Sequence, residues 1–306
     1  MTDLAKAEQG IHKISMADYL ALPYLSSGLC NTLLTCSPYH AKFERDNRVF
    51  DDNEASDTGT AIHDALLEGI NRIVNVDAKD WRTNAAKEAR EVARAAGKIP
   101  ILQHKIPQVQ AAVEAAKDYI AGSELAGVFD SGEPEQTIIW RECISLGGVS
   151  STVIDLKARP DWLTADRSIM LHVKTTKGSA EPESWIRRQL VGIGYDVAAM
   201  FYKRGAIALD ETPAFNRTAQ SMNSVFLVIE QNPPYGCSLI ALSPAMAEIA
   251  SAKVERAIRT WAQCKASGKW PCYSAQIAYA EPTAWQFSEA EQSMLTEKEL
   301  EGGIPL

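Results

Sequence analysis

The sequence predicts an α/β protein with a mixed central sheet flanked by helices and a helical N-terminal region. Two alanine-rich segments, 85–96 and 107–121, have helical periodicity and precede the strands. After Gly132 the pattern changes to strand-like segments, interrupted by one helical segment over 185–202. Strands that continue on both sides of a helix indicate a mixed sheet with helices packed against it.

The individual elements follow from local patterns. Strands are predicted over 136–142, 149–157, 168–174, 224–230 and 237–242. A turn over 232–236 (NPPYG) joins the last two strands. Ser243 is expected to cap a final helix, with Pro244 at its first position and Gly268 just beyond its end.

The length of 306 residues lies near the size at which chains divide into domains. We predict a helical N-terminal part over 1–130, a core with its closing helix over 131–273, and a tail over 274–306. The three parts are expected to form one compact domain overall. The tail is rich in Glu and Ala, and it is interpreted either as flexible or as a partner-binding segment.

Composition bounds the class of function. The chain is 46% hydrophobic and 23% charged, which is ordinary for a globular protein. It has no apolar run of about 18 residues and no secretory pattern at its start, so membrane insertion and export are not expected. The six cysteines form no C-x-x-C pair, which predicts reduced thiols and a cytoplasmic location. The net charge of −8 argues against nonspecific coating of DNA. A protein with this net charge can still concentrate positive charge in a cleft that binds DNA.

The segment 157–177 contains the candidate catalytic residues. Alternation along the strand 168–174 places Ile169, Leu171 and Val173 on one side and leaves Met170, His172 and Lys174 together on the other. Asp161 precedes this strand by a short turn. An acidic ligand and a nearby lysine suit metal-assisted hydrolysis of a phosphodiester. The alternative is that Asp161 merely begins a turn after Pro160 and Lys174 is a solvated charge.

Five blocks of sequence, in order, match one family pattern. They are 15–43, 59–63 (GTAIH) with 66–68 (LLE), 157–161 (KARPD) with 173–176 (VKTT), 185–205, and 270–273 (WPCY). Together they resemble the exodeoxyribonuclease VIII (RecE-type) family of phages and prophages, a branch of the PD-(D/E)XK nucleases. The resemblance covers most of the chain, and it implies a restriction-endonuclease-like fold.

The resemblance also implies residue roles and a cofactor. It makes His63, Glu135, Asp161 and His172 the ligands of Mg²⁺ or Mn²⁺, and Lys174, with Asp161, catalytic. The proposed DNA contacts are Arg187, Arg188, Tyr195 and Tyr202.

Two positions depart from the family pattern. His172 stands where the family has aspartate or glutamate, and Ala198 stands where it usually has glutamine. A neutral imidazole is a competent ligand, so His172 is expected to bind metal with a preference shifted toward Mn²⁺. The alternative is a packed or hydrogen-bonded imidazole in a site that no longer binds metal.

The resemblance implies a metal-dependent exodeoxyribonuclease that degrades linear double-stranded DNA from its ends, from 5′ to 3′. It further implies a ring-shaped homo-oligomer that works beside a single-strand annealing protein in phage recombination, in the cytoplasm of the bacterial host. One alternative is a pseudo-nuclease that binds DNA ends or another protein. Another is a metal hydrolase of a different substrate, with His63 and His172 as paired ligands.

Overall fold

The structure of this chain is a computed structural model that describes residues 8–47, 57–148, 150–209 and 222–302. Val149, which begins one predicted strand, lies outside these ranges. The described strands are β1 (Gly10–His12), β2 (Ile73–Val76), β3 (Ile99–Leu102), β4 (Gly132–Pro134), β5 (Thr137–Gly147), β6 (Ser150–Ala158), β7 (Trp162–Thr164), β8 (Ile169–Thr176), β9 (Asn223–Glu230) and β10 (Cys237–Ala241). All five strands predicted from the sequence are present among them.

The described helices surround these strands. They are α1 (Met16–Ala21), α2 (Ser27–Thr35), α3 (Pro38–Asp46), α4 (Asp57–Leu67), α5 (Asn84–Ala95), α6 (Ile106–Ala121), α7 (Pro182–Trp185), α8 (Val191–Ile193), α9 (Tyr195–Ala208), α10 (Pro244–Ser267) and α11 (Ala284–Gly302). A π-helical segment, Ile186–Leu190, joins α7 to α8. No helix of the described chain is long and apolar enough to cross a membrane.

The strands form three sheets. The largest has the order β10-β9-β8-β7-β4, in which β8 and β9 are parallel and the other neighbours are antiparallel. A second sheet, β1-β5-β6, is antiparallel throughout, and β2 and β3 form a parallel pair. The mixed α/β architecture predicted from the sequence is confirmed.

Strand β8 is buried on both faces, which explains how its residues divide. Leu171 and Val173 belong to a hydrophobic cluster with Ile62 of α4 and Val109 of α6. Met170 belongs to the opposite cluster, which includes residues of α9 and α10. The predicted alternation along this strand is therefore confirmed, and helices pack against both sides of the sheet.

The predicted helix over 185–202 is broken. Gly194 adopts a left-handed conformation, with φ 85°, between α8 and α9. An added Cβ at this glycine would lie 2.4 Å from Asn31 Oδ1, and the Asn31 amide donates to the Ile193 carbonyl at 3.1 Å. Periodicity does not register such a break, because apolar positions recur on both sides of it.

The last two helices have different surroundings. Helix α10 begins as predicted, with the Ser243 hydroxyl accepting from the Met246 amide and Gly268 at its end with φ 68°. The chain divides into two compact units, Met1–Pro271 and Cys272–Leu306. Helix α11 lies in the second unit, and Trp285 and Phe287 on it are exposed. The tail thus contains a helix where the sequence left its state open.

Candidate metal centre

Three predicted ligands meet at one point. His63 lies on α4, Glu135 lies between β4 and β5, and Asp161 lies between β6 and β7. His63 Nε2 is 3.5 Å from Asp161 Oδ1 and 3.8 Å from Glu135 Oε1. One ligand atom from each residue lies within 4.8 Å of the others. Residues far apart in the sequence therefore form a cluster with one imidazole and two carboxylates.

Backbone geometry helps to bring the cluster together. Glu135 has φ 55°, a left-handed conformation that costs a non-glycine residue about 1–3 kcal/mol unless the surroundings hold it. Its amide donates to the Asp161 carbonyl at 3.1 Å, which holds the two acidic residues side by side. Such outliers concentrate at functional sites.

Gly59 sets the approach of α4, the helix that carries His63. An added Cβ at Gly59 would lie 2.5 Å from Thr175 Oγ1 and 2.7 Å from Gln231 Nε2. Only glycine permits this close contact between the helix and the end of β8. The first residue of the GTAIH block therefore determines how near His63 comes to the carboxylates.

Asp161 joins the cluster to the lysine. Its Oδ2 accepts from the Val173 amide at 2.7 Å and from Lys174 Nζ at 3.0 Å. Its Oδ1 remains directed toward His63. One carboxylate thus presents one oxygen to the cluster and uses the other to hold Lys174 at its edge.

The electrostatics fix the charge states of this pair. Burial opposes the charged form of Asp161, but Lys174 and His63 prevail and hold the pKa of Asp161 well below its usual range. Burial also opposes charge on Lys174, yet the Asp161 carboxylate raises the pKa of Lys174 above its ordinary value. At neutral pH Asp161 is therefore an anion and Lys174 is a cation.

The other two members of the cluster have raised pKa values. For His63, burial favours the neutral ring, but the hydrogen bond and the charge of Asp161 outweigh it and raise the pKa. For Glu135, burial raises the pKa first and the neighbouring Asp161 raises it further. Two acidic groups crowded beside one imidazole form an arrangement that a cation would stabilise.

The structure gives His172 a different place from the predicted ligand position. Its side chain is only 2% exposed, and its Nε2 lies 2.8 Å from Ser224 Oγ. Its ring stacks on Phe226 with centroids 5.0 Å apart, and burial lowers its pKa to about 4. His172 shares a face with Lys174, as predicted, but it lies outside the three-residue cluster. Burial keeps the packed imidazole neutral, and its Nε2 is already hydrogen-bonded to Ser224.

The predicted DNA contacts divide into two groups. Lys174 Nζ lies 5.4 Å from the centroid of the Tyr195 ring, and the Tyr202 ring lies 5.6 Å from that of His172. Both tyrosines therefore line the side of the site that holds Lys174. Arg187 and Arg188 are exposed on the π-helical segment, beyond the break at Gly194, so they do not share a helix with the tyrosines as the sequence suggested.

The cluster fits one divalent cation. Ligand atoms at about 2.1 Å from an ion lie about 3.0 Å apart when adjacent and about 4.2 Å apart when opposite, by coordination geometry. The distances of 3.5 and 3.8 Å from His63 Nε2 to the two carboxylates fall between these limits. His63 therefore lies at a distance from both carboxylates that lets the three residues hold one ion between them. An imidazole with two carboxylates suits Mn²⁺ as well as harder ions.

The chain is similar to one known domain family. Residues 26–283 match the model of a PDDEXK-like domain of unknown function (DUF3799). No curated protein sequence matches the chain. Similar solved structures include one named as a putative exonuclease from Eubacterium rectale, with 10% identity, a TM-score of 0.47, and coverage of 91% of this chain and 99% of that chain. Another is SSO0001, with 15% identity, a TM-score of 0.25, and coverage of 65% of this chain and 84% of that chain.

Proposed function

Because this chain belongs to the family of PDDEXK-like domains of unknown function (DUF3799), we propose that it is a metal-dependent exodeoxyribonuclease. PD-(D/E)XK proteins are nucleases that generally use divalent metal ions, and a nuclease is the function class that the family supports. The finer proposal is a RecE-type enzyme that degrades linear double-stranded DNA from its ends. The observation that carries it is the meeting of His63, Glu135 and Asp161 beside Lys174.

Each residue has a place in the proposed reaction. Mg²⁺ or Mn²⁺ held by the three ligands would supply Lewis-acid activation of the phosphate. Lys174, fixed by Asp161 at 3.0 Å, orients the attacking water or stabilises negative charge on the phosphate oxygens. Tyr195 and Tyr202 contact the DNA next to the lysine, and Arg187 and Arg188 contact its backbone farther out. The polarity that we propose is 5′ to 3′.

The acidic net charge bears on how the enzyme stays on DNA. A chain with net charge −8 gains little from nonspecific phosphate contacts. We therefore propose a ring-shaped homo-oligomer that encircles the duplex, because an enzyme that encircles DNA stays on it without strong phosphate contacts. In this proposal it acts in the cytoplasm of a bacterial host, with a single-strand annealing protein that receives the exposed strand during phage recombination.

The test is degradation of linear double-stranded DNA labelled at either the 5′ or the 3′ end. We expect label loss only with Mg²⁺ or Mn²⁺ and early release of the 5′ label. Closed circular DNA, which has no ends and is followed on a gel, should stay intact. Lys174→Ala should abolish release, whereas Lys177→Ala, which removes an exposed lysine three positions away, should leave it unchanged. Equal activity of the Lys174→Ala protein and the wild type would refute the proposal.

One observation favours a second function. His172 occupies the position of a family carboxylate, but it is packed against Phe226 and hydrogen-bonded to Ser224. A site short of one acidic ligand suits a pseudo-nuclease that binds DNA ends without cutting them. Metal-independent retention of end-labelled DNA, with no label loss in either ion, would support this second function over the first.

A further inference from the structure

Arg159 makes three hydrogen bonds beside the metal centre, and its side chain is only 10% exposed. Its Nε donates to Glu135 Oε2 at 2.6 Å. Its Nη1 donates to the Ile14 carbonyl at 2.8 Å and to Thr137 Oγ1 at 3.1 Å. The guanidinium is therefore anchored to two other parts of the chain while it holds the Glu135 carboxylate.

Glu135 needs such an anchor to serve as a ligand. Its backbone is in the left-handed region, and a free glutamate side chain has several rotatable bonds. The neighbouring Asp161 carboxylate repels it. With Oε2 bound to Arg159, only Oε1 faces His63, at 3.8 Å. The ion pair with Arg159 thus leaves only Oε1 of Glu135 to bind the cation and points that oxygen toward His63.

We propose that Arg159 is a positioning residue that fixes Glu135 as a single-oxygen ligand of the divalent cation. This inference rests on the metal site of the proposed function. Two other effects of Arg159 predict different outcomes. A structural clamp between Ile14 and the sheet would alter stability and leave metal affinity intact. Charge repulsion between the guanidinium and the cation would make metal binding tighter once Arg159 is removed.

A double-mutant cycle separates these effects. Mn²⁺ binding is titrated by calorimetry in the DNA-free wild type, Arg159→Met, Glu135→Gln and the double variant. Loss of a residue that orients a metal ligand typically weakens affinity by about 10–100-fold, and we expect that loss for Arg159→Met. The double variant should bind Mn²⁺ no more weakly than Glu135→Gln alone, because Arg159 acts through Glu135.

Arg141→Met is the matched control. It removes another arginine from an ion pair, with Asp155 at 2.7 Å on β5 and β6, and it should bind Mn²⁺ as the wild type does. Urea unfolding of each variant reports its stability. If Arg159→Met does not fold, Arg159→Lys replaces it. Lysine cannot bridge Glu135 and Ile14 as the guanidinium does, so a drop in affinity is again expected.

The outcomes that overturn the inference are distinct. Mn²⁺ binding by Arg159→Met, or by its lysine replacement, that is unchanged or tighter than in the wild type refutes the inference. It is also refuted if the double variant binds Mn²⁺ more weakly than Glu135→Gln by the same factor that Arg159→Met loses relative to the wild type. A wild type that binds no Mn²⁺ refutes the proposed metal site and the inference together. If the wild type and Arg159→Met bind Mn²⁺ with equal affinity, the inference is refuted but the proposed metal site is not.

Discussion

Acid is expected to destabilise this protein through His172. The buried ring is neutral in the folded chain, where its pKa is about 4, and it takes up a proton near its ordinary value of 6.5 when the chain unfolds. A histidine with a lowered folded pKa stabilises the fold above 6.5, and this contribution is lost as the pH falls from about 6.5 toward 4. Linkage between these two values gives a loss of about 2 kcal/mol between pH 7 and pH 5.

The comparison that isolates this residue is wild type against His172→Gln. Glutamine keeps a hydrogen-bonding group opposite Ser224 and carries no titratable proton. Urea unfolding of both proteins at pH 7 and pH 5, followed by tryptophan fluorescence, gives the four free energies of unfolding. The wild type should lose about 2 kcal/mol more than the variant on acidification. Parallel losses in the two proteins would show that His172 is not a buried neutral imidazole.

Three further substitutions test the packing and the cluster. Gly205→Ala places a Cβ 2.6 Å from the Trp140 ring, which should cost about 1–3 kcal/mol in the free energy of unfolding, measured in urea. Ser243→Ala removes the N-cap hydrogen bond of α10 and should cost about 1 kcal/mol in the same measurement. Gly59→Ala forces α4 away from Thr175 and should weaken Mn²⁺ binding in a calorimetric titration, because His63 moves with the helix.

Each of these substitutions has a matched control. Gly192→Ala adds a methyl group where no atom lies within 4 Å, so it should be far less costly than Gly205→Ala. Ser251→Ala removes a hydroxyl that bonds within α10 rather than at its cap, so it should cost less than Ser243→Ala. Gly192→Ala should also leave Mn²⁺ affinity unchanged. Equal effects of control and test substitution would contradict the packing, capping or positioning explanation concerned.

Local sequence signals predicted much of the fold. Alternation along β8, the cap and end of α10, and the turn before β10 all depend on residues close together in the chain. The break at Gly194 was not predicted, because its contact with Asn31 comes from a distant helix. The short strands β1, β2, β3, β4 and β7 were also missed, since three or four residues carry too little periodicity to be recognised.

The candidate site shows the same division. His63, Asp161 and Lys174 were singled out through the resemblance to a known nuclease family, because their spacing alone is weakly specific. The partner of His172 was not predictable, since Ser224 reaches it only through the parallel pairing of β8 with β9. Arg159 was missed for a related reason. Its position two residues before Asp161 in the sequence gives no sign that it binds Glu135.

The central claim is that His63, Glu135 and Asp161 hold one divalent cation and that His172 does not. Electron paramagnetic resonance of Mn²⁺ added to the DNA-free protein counts the bound ions in the wild type, His63→Ala and His172→Gln. We predict one tightly bound Mn²⁺ per chain in the wild type and in His172→Gln, and none in His63→Ala. Loss of the ion in His172→Gln with retention in His63→Ala would contradict the account.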